Sequence, residues 1–271
     1  MSDFYKDKVV LITGGSMGIG KELAIQTLHA GAKVVITGRN KERLQSTLNS
    51  LSHPERVLIH AGDVACDQHN RKLVSSIIDH FGKLDIVISN AGISAYGDLE
   101  QTRPDVINEL VDTNIKGSVF LYNAVIPELK KTGGSILFVS SLAGLRGLPS
   151  YSLYSLTKMA LTALAQSIRI ETKRYGVLVG IAYVGFTMNE DEKRTYSPEG
   201  ILEQVPKRNH QFLSERSVTA SKILDQIRKR QGTRIHSITG KFLFLINKFS
   251  PALITYVLEK AYKNNHTRLK D

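Results

Sequence analysis

Short runs rich in Val and Ile alternate with amphipathic stretches from the start of the chain. The runs 8–13, 33–38, 56–61, 85–89, 135–140 and 177–184 are apolar and mostly bounded by Gly, Asp or Asn, so they predict buried strands. Between them, spacing near 3.6 predicts helices over 18–30, 40–51, 68–81, 103–130 and 152–174. A further helix is predicted over 217–230, with Ser217 or Thr219 near its start. Strands alternating with helices predict an α/β fold, a parallel sheet covered on both faces. Right-handed crossovers then give a doubly wound, Rossmann-type topology. No repeat, low-complexity tract or linker divides the chain, and one domain over 1–271 is expected.

Residues that can do chemistry fall where the predicted strands end. After the first strand comes Thr13-Gly14-Gly15-Ser16-Met17-Gly18-Ile19-Gly20, leading into a helix near Ile19. Glycines let backbone N–H groups approach a phosphate, and a helix amino terminus offers oriented positive partial charge. The turn is a candidate pyrophosphate seat. The second strand ends in Gly38-Arg39-Asn40. NAD-binding units commonly place an acid there to bond the ribose hydroxyls. With Gly38 or Arg39 in that place, no carboxylate repels a 2′-phosphate and the Arg39 guanidinium can bond it. NADP(H) is therefore favoured over NAD(H).

Tyr154 and Lys158 lie four apart on a predicted helix and share one face. A nearby ammonium stabilises a phenolate and moves a phenol of reference pKa about 10 toward the range of a working acid–base group. Tyr151 has Ser155, not a lysine, at the same spacing. Ser141 closes the fifth strand, where its hydroxyl can bond a substrate oxygen. Ser140 is the alternative and points to the opposite face.

In order and spacing these pieces resemble the short-chain dehydrogenase/reductase family over roughly residues 6–190. The resemblance rests on TGxxxGxG at 13–20, Asp63-Val64, Asn90-Ala91-Gly92, Asn114 within Thr113-Asn114-Ile115-Lys116-Gly117, Ser141 within Ser140-Ser141-Leu142-Ala143-Gly144, and Tyr154-x-x-x-Lys158. It implies cofactor contacts from the glycine turn, Arg39, Asn40, Asp63, Val64, Asn90, Ala91 and Gly92, with Asp63 at the adenine. It implies a catalytic set of Ser141, Tyr154, Lys158 and Asn114. There Lys158 also bonds the nicotinamide ribose, and Asn114 organises a water that links the lysine to solvent. The implied reaction moves a hydride between nicotinamide and a ketone or secondary alcohol, with Tyr154 as general acid or base. Homo-oligomers joined through long helices such as 103–130 and 152–174 are implied as well.

The chain departs from the family after the sixth strand. The usual Pro-Gly-x-x-x-Thr is Val184-Gly185-Phe186-Thr187-Met188-Asn189, and Gly185 with Thr187 or Asn189 is expected at the carboxamide. This departure leaves a non-catalytic NADP-binding regulator or scaffold as the alternative. Segment 186–216 is polar, charged and weakly periodic, and is expected to cover the substrate. Its Phe186, Met188, Tyr196, Ile201, Leu202, Val205, Phe212 and Leu213 either line an apolar pocket or pack as one short helix.

At 271 residues with 42% hydrophobic and 23% charged content, the chain can build a sizeable core without staples. Cys66 is the sole cysteine, which excludes an internal disulfide, and no metal site is expected. The first residues contain no apolar core of a secretory signal, so a cytoplasmic place is expected. The net charge of +11 is uneven: 1–192 carry 20 Lys+Arg against 19 Asp+Glu, while 193–271 carry 16 against 6. In the extension 238–271, residues 238–258 are the most lipid-like, but Lys241, Lys248 and Pro251 interrupt them. That falls short of the roughly 20 apolar residues of a spanning helix. An apolar face with a basic rim suits peripheral contact with anionic lipid. The tail is similar to those of lipid-active members such as 3-ketosphinganine reductases and hydroxysteroid dehydrogenases. Covering the core and pairing two subunits are the other readings. A small carbonyl or alcohol substrate of apolar or lipid-like character is expected. Nucleic acid is not, because aromatic–basic stacking patterns are missing.

Overall fold

The predicted strands form where the pattern places them: β1 (Val9–Thr13), β2 (Lys33–Gly38), β3 (Val57–Ala61), β4 (Ile86–Ser89), β5 (Ser135–Ser141) and β6 (Leu178–Val184). The structure, a computed structural model, describes residues 2–188, 190, 192–206 and 213–267. The helices are α1 (Ser2–Tyr5), α2 (Gly18–His29), α3 (Lys41–Ser50), α4 (Asp67–Phe81), α5 (Pro104–Val111), α6 (Gly117–Thr132), α7 (Ser152–Thr172), α8 (Arg216–Arg228), α9 (Ile238–Phe249) and α10 (Pro251–Thr267). Three further strands, β7 (Arg194–Tyr196), β8 (Leu202–Gln204) and β9 (Thr233–Ile235), carry too few residues for a periodic signal.

The main sheet is parallel throughout, in the order β3-β2-β1-β4-β5-β6-β9. Because successive side chains point to opposite faces, each strand feeds two cores. Val10, Ile12, Val34 and Ile36 meet Leu23 and Leu28 of α2 and Ile223 and Ile227 of α8. Val9, Leu11, Val35, Ile136 and Phe138 meet α4, α6 and α7 through Leu73, Leu121, Val125 and Leu161. Burial on both sides explains why these strands read as continuous apolar runs rather than alternating ones.

One predicted helix differs from expectation. The 103–130 pattern is broken between α5 and α6 by a π-helical turn, Asp112–Lys116, that carries Asn114. Such one-turn widenings gather at functional sites. The last predicted helix is α8, which starts at Arg216. Ser217 and Thr219 both lie in its first turn, as expected, and Glu215 stands at the N-cap.

The seventh strand is held by a small buried polar network. The Gln226 amide donates to the Ile181 and Gln231 carbonyls, each at 3.0 Å. Its oxygen therefore accepts from His236 Nε2, 2.8 Å away, which fixes that tautomer and leaves buried Nδ1 without a partner. Burial pushes the His236 pKa down to about 4 from 6.5, with Arg234 adding to the effect. The unfolded chain thus takes up this proton first. Its contribution to stability is complete above pH 6.5 and declines as pH falls toward 4. We expect the unfolding free energy to fall by about 2–3 kcal/mol across that window. His236→Gln should flatten the slope, and an unchanged slope in urea titrations at stepped pH would refute the assignment.

Candidate active site

The carboxyl ends of β1 and β4 are where the helices diverge to opposite faces, and they are stitched together by side chains. Thr13 Oγ1 accepts from the backbone N–H groups of Asn90 (3.0 Å) and Ala91 (2.9 Å). The Asn90 amide donates back to the Thr13 carbonyl at 2.9 Å. From this anchor the turn climbs: the Gly14 N–H bonds the Thr37 carbonyl at 2.8 Å, and the Ser16 carbonyl accepts from Thr47. Met17, extended, precedes α2 without a side-chain cap. Gly18 takes a left-handed φ of +57°, and a side chain on Gly20 would run into the Gly14 carbonyl and the Asn90 amide. Ile19 packs against the first core.

The start of α2 already holds an anion from the chain itself. Gly18 N–H donates to Glu190 Oε1 at 3.0 Å, and the Arg216 guanidinium lies 3.8 Å from the same oxygen. A carboxylate on this helix end is what its unsatisfied N–H groups and partial charge favour. The seat therefore fits a pyrophosphate, which residues 13–20 would hold.

At the end of β2, Arg39 pairs with Glu109 at 2.7 Å. Asn40, expected as a cofactor contact, caps α3 with its side-chain oxygen, accepting from Arg43 N–H at 2.6 Å. Asp63 shapes the turn after β3 by accepting from Ala65 N–H at 2.9 Å. Val64 beside it is buried against Gly117.

At the other end of the crevice the catalytic candidates converge. Lys158, on the buried face of α7, donates to the Val139 carbonyl at 3.1 Å and lies 5.7 Å from the centre of the Tyr154 ring. Burial pushes its pKa down to about 8, with the charge of Lys193 contributing. Gly92 fits closely against this group, since a Cβ there would sit 3.1 Å from Asn114 Oδ1 and 3.3 Å from Lys158 Nζ. The Asn114 side chain clamps Ile93, accepting from its N–H and donating to its carbonyl at 2.9 Å each, and donates to Thr157 at 3.0 Å. Ser140 is buried and donates to the Lys158 carbonyl at 3.2 Å. Ser141 points the other way, half-buried at the mouth of the crevice, and accepts a long bond, 3.3 Å, from Ala143 N–H. Alternation along β5 thus separates the two serines as expected. Val184 stays buried in β6, and Gly185 packs tightly on Ser237. Thr187 bonds the Gly185 carbonyl and Thr219 rather than pointing alone into the crevice.

Comparison with known proteins settles the lineage. The family model described as short chain dehydrogenase matches residues 8–199. The chain belongs to that family. An uncharacterized oxidoreductase of Thermotoga maritima is 35% identical over 210 residues, 75% of this chain and 83% of that protein. An 11-beta-hydroxysteroid dehydrogenase-like 2 of Arabidopsis thaliana is 32% identical over 260 residues, 93% of this chain and 80% of its own. A short-chain dehydrogenase from Streptomyces avermitilis superposes with a TM-score of 0.80 at 22% identity, covering 96% of this chain and 98% of its own. As a short-chain dehydrogenase, the protein is an NAD(P)-dependent oxidoreductase.

Among its described residues, segment 186–216 of this short-chain dehydrogenase does not pack as one short helix. β7 and β8 pair as an antiparallel hairpin, and Ser94 bonds Thr195 at 2.9 Å. Ile201 and Leu202 are exposed, while Phe212 and Asn189 lie outside the described residues. Sequence reasoning did not find Glu190 at the phosphate seat, nor Arg43 reaching Glu192 at 3.2 Å beside it. Neither follows a motif, because both depend on where the segment after β6 returns. A dinucleotide phosphate seated on this helix end would compete with the Glu190 carboxylate for the Gly18 N–H. We expect Glu190→Gln to tighten dinucleotide binding by about twofold to tenfold, the worth of one charge at a helix end. Fluorescence titration with NADPH and NADH reads this directly, and equal or weaker binding by the variant would contradict it.

Proposed function

We propose that this short-chain dehydrogenase interconverts a ketone and a secondary alcohol with NADP(H), acting on an apolar or lipid-like small molecule. The observation that carries the reading is the buried Lys158 ammonium 5.7 Å from the Tyr154 ring, one strand end away from the outward-facing Ser141. The cofactor, when bound, supplies or accepts the hydride. Ser141 donates a hydrogen bond to the substrate oxygen and fixes its direction. Tyr154 passes a proton to that oxygen in reduction and takes it back in oxidation. Lys158, held against the Val139 carbonyl, places positive charge beside the phenol and favours its ionised form. Asn114 is a positioning residue: its amide is engaged with Ile93 and Thr157, which sets the strand-end loop next to Lys158.

The cofactor preference rests on Arg39 at the end of β2, with no carboxylate at positions 38–40. Its present partner Glu109 is an exchangeable surface acid rather than a buried one. The apolar character of the substrate rests on an aromatic wall beside Tyr154. The Tyr96 and Tyr151 rings lie 5.0 Å apart, and Tyr151 meets Tyr154 at 6.5 Å. Self-association through α7 belongs to the same reading, since Leu156, Met159 and Ile170 are exposed on one of its faces.

Two variants test the assignment. Tyr154→Phe should lower turnover on a ketone panel by about 10²–10⁴-fold with cofactor binding kept. Turnover at the wild-type level would remove Tyr154 from the mechanism. Arg39→Ala should weaken NADPH by about 10–100-fold, the worth of a charge-assisted bond, and leave NADH unaffected. Equal wild-type affinity for both cofactors would refute that part. Tight NADPH binding with no turnover across ketones and alcohols would instead favour the non-catalytic regulator.

A further inference from the structure

The last two helices present the most apolar exposed surface among the described residues. On α9, Ile238, Phe242, Leu245 and Phe249 recur at helical spacing along one face. Ile238 is 73% exposed, Phe242 62% and Phe249 76%. On α10, Leu253 and Tyr256 continue the exposed face, with Tyr256 at 62%. The opposite faces of both helices are used up on the protein body. Ser237 caps α9 by accepting from Gly240 N–H at 3.0 Å, and Gly240 lies tight on Leu142 and Ile235. Ile254 is buried. Arg146 donates to Asn247 at 2.9 Å and to Thr255 at 2.8 Å. Tyr262 donates to the Asp98 carboxylate at 2.9 Å. The inner face covers the body, and the outer one is left to something else.

We propose that this outer face docks on an anionic phospholipid bilayer, lying in its interface. Charge selects this occupant. Residues 238–267 contain Lys241, Lys248, Lys260 and Lys263 against a single carboxylate, Glu259. Lys241 and Lys248 flank the apolar stripe of α9 on one side, so the aromatic and aliphatic side chains enter the acyl boundary while ammonium groups meet phosphates. Two copies of this chain placed face to face would bring these lysines together with little to offset them. No helix among the described residues is long and apolar enough to cross the membrane, so the contact is peripheral.

The attachment points give the docking a direction. Arg146 follows the strand end that carries Ser141, and Asp98 lies in the loop that carries Tyr96. The helical pair therefore bridges the two loops that flank Tyr154, and docking brings the crevice mouth to the lipid surface. The consequence for substrate uptake, entry of an apolar ketone from the bilayer, rests on the proposed activity; the docking itself does not.

The test is flotation of the full chain with vesicles of phosphatidylcholine alone or mixed with phosphatidylglycerol. Binding to the mixed vesicles, at least about tenfold above phosphatidylcholine alone and weakening as salt rises, is expected. The double variant Phe242→Glu and Phe249→Glu should lose it by a similar factor. NADPH titration and turnover of a water-soluble ketone by that variant serve as controls for its fold and should match the wild type. Failure of the wild type to float with either vesicle would overturn the proposal. So would a dimer, seen by light scattering, that the double variant dissociates. If no ketone is turned over by any form but flotation behaves as described, the activity fails and the docking stands.

Discussion

A parallel sheet buried on both faces is the constraint from which the rest follows. Each strand must return to the same end through a covering helix, so every strand-to-helix turn gathers at one edge. Between β1 and β4 the returning helices part to opposite faces, and the crevice they leave must be closed by something other than a helix. Here Thr13 and Asn90 close it by bonding each other's main chain. The glycine turn then stands directly above that stitch, while Asn114, Ser141, Tyr154 and Lys158 arrive from the next strands and helices along the same edge.

Lys158 shows how the cost of a buried charge is contained. A buried ammonium loses its hydration, and its pKa falls accordingly. The Val139 carbonyl returns one hydrogen bond, and close packing of Gly92 and Asn114 leaves little room for the side chain to leave. A residue held this way is poised to change charge state more readily than a surface lysine. Its neighbour Tyr154 then feels a field set by the fold rather than by solvent.

Much of this was legible in the sequence because it depends on local patterns. Strands such as Lys33–Gly38 are long apolar runs, and the Tyr154–Lys158 pair and the glycine turn are contiguous signals. Ser141 was separable from Ser140 because strand alternation is a strict rule. The π-helical turn at Asn114 was not legible, since one extra residue in a helical turn leaves the apolar period almost intact. The capping role of Asn40 was not legible for a related reason: a residue after a strand can cap the next helix or reach a ligand, and composition does not say which. β9 escaped because three residues carry no period, although Gln226 and His236 pin it. The β7–β8 hairpin and the placement of Glu190 depend on long-range return of the chain, which no window of sequence contains.

The Glu190 carboxylate on α2 has a consequence for which molecules the site ignores. A tethered group refills its place from a short distance, at an effective concentration that a dilute solute does not reach. A lone chloride or inorganic phosphate must compete with it using one contact. A dinucleotide would bring adenine, ribose and nicotinamide contacts as well. At the start of α2, then, an internal occupant already sits on the Gly18 N–H and beside Arg216, and sets the threshold that any incoming anion has to exceed.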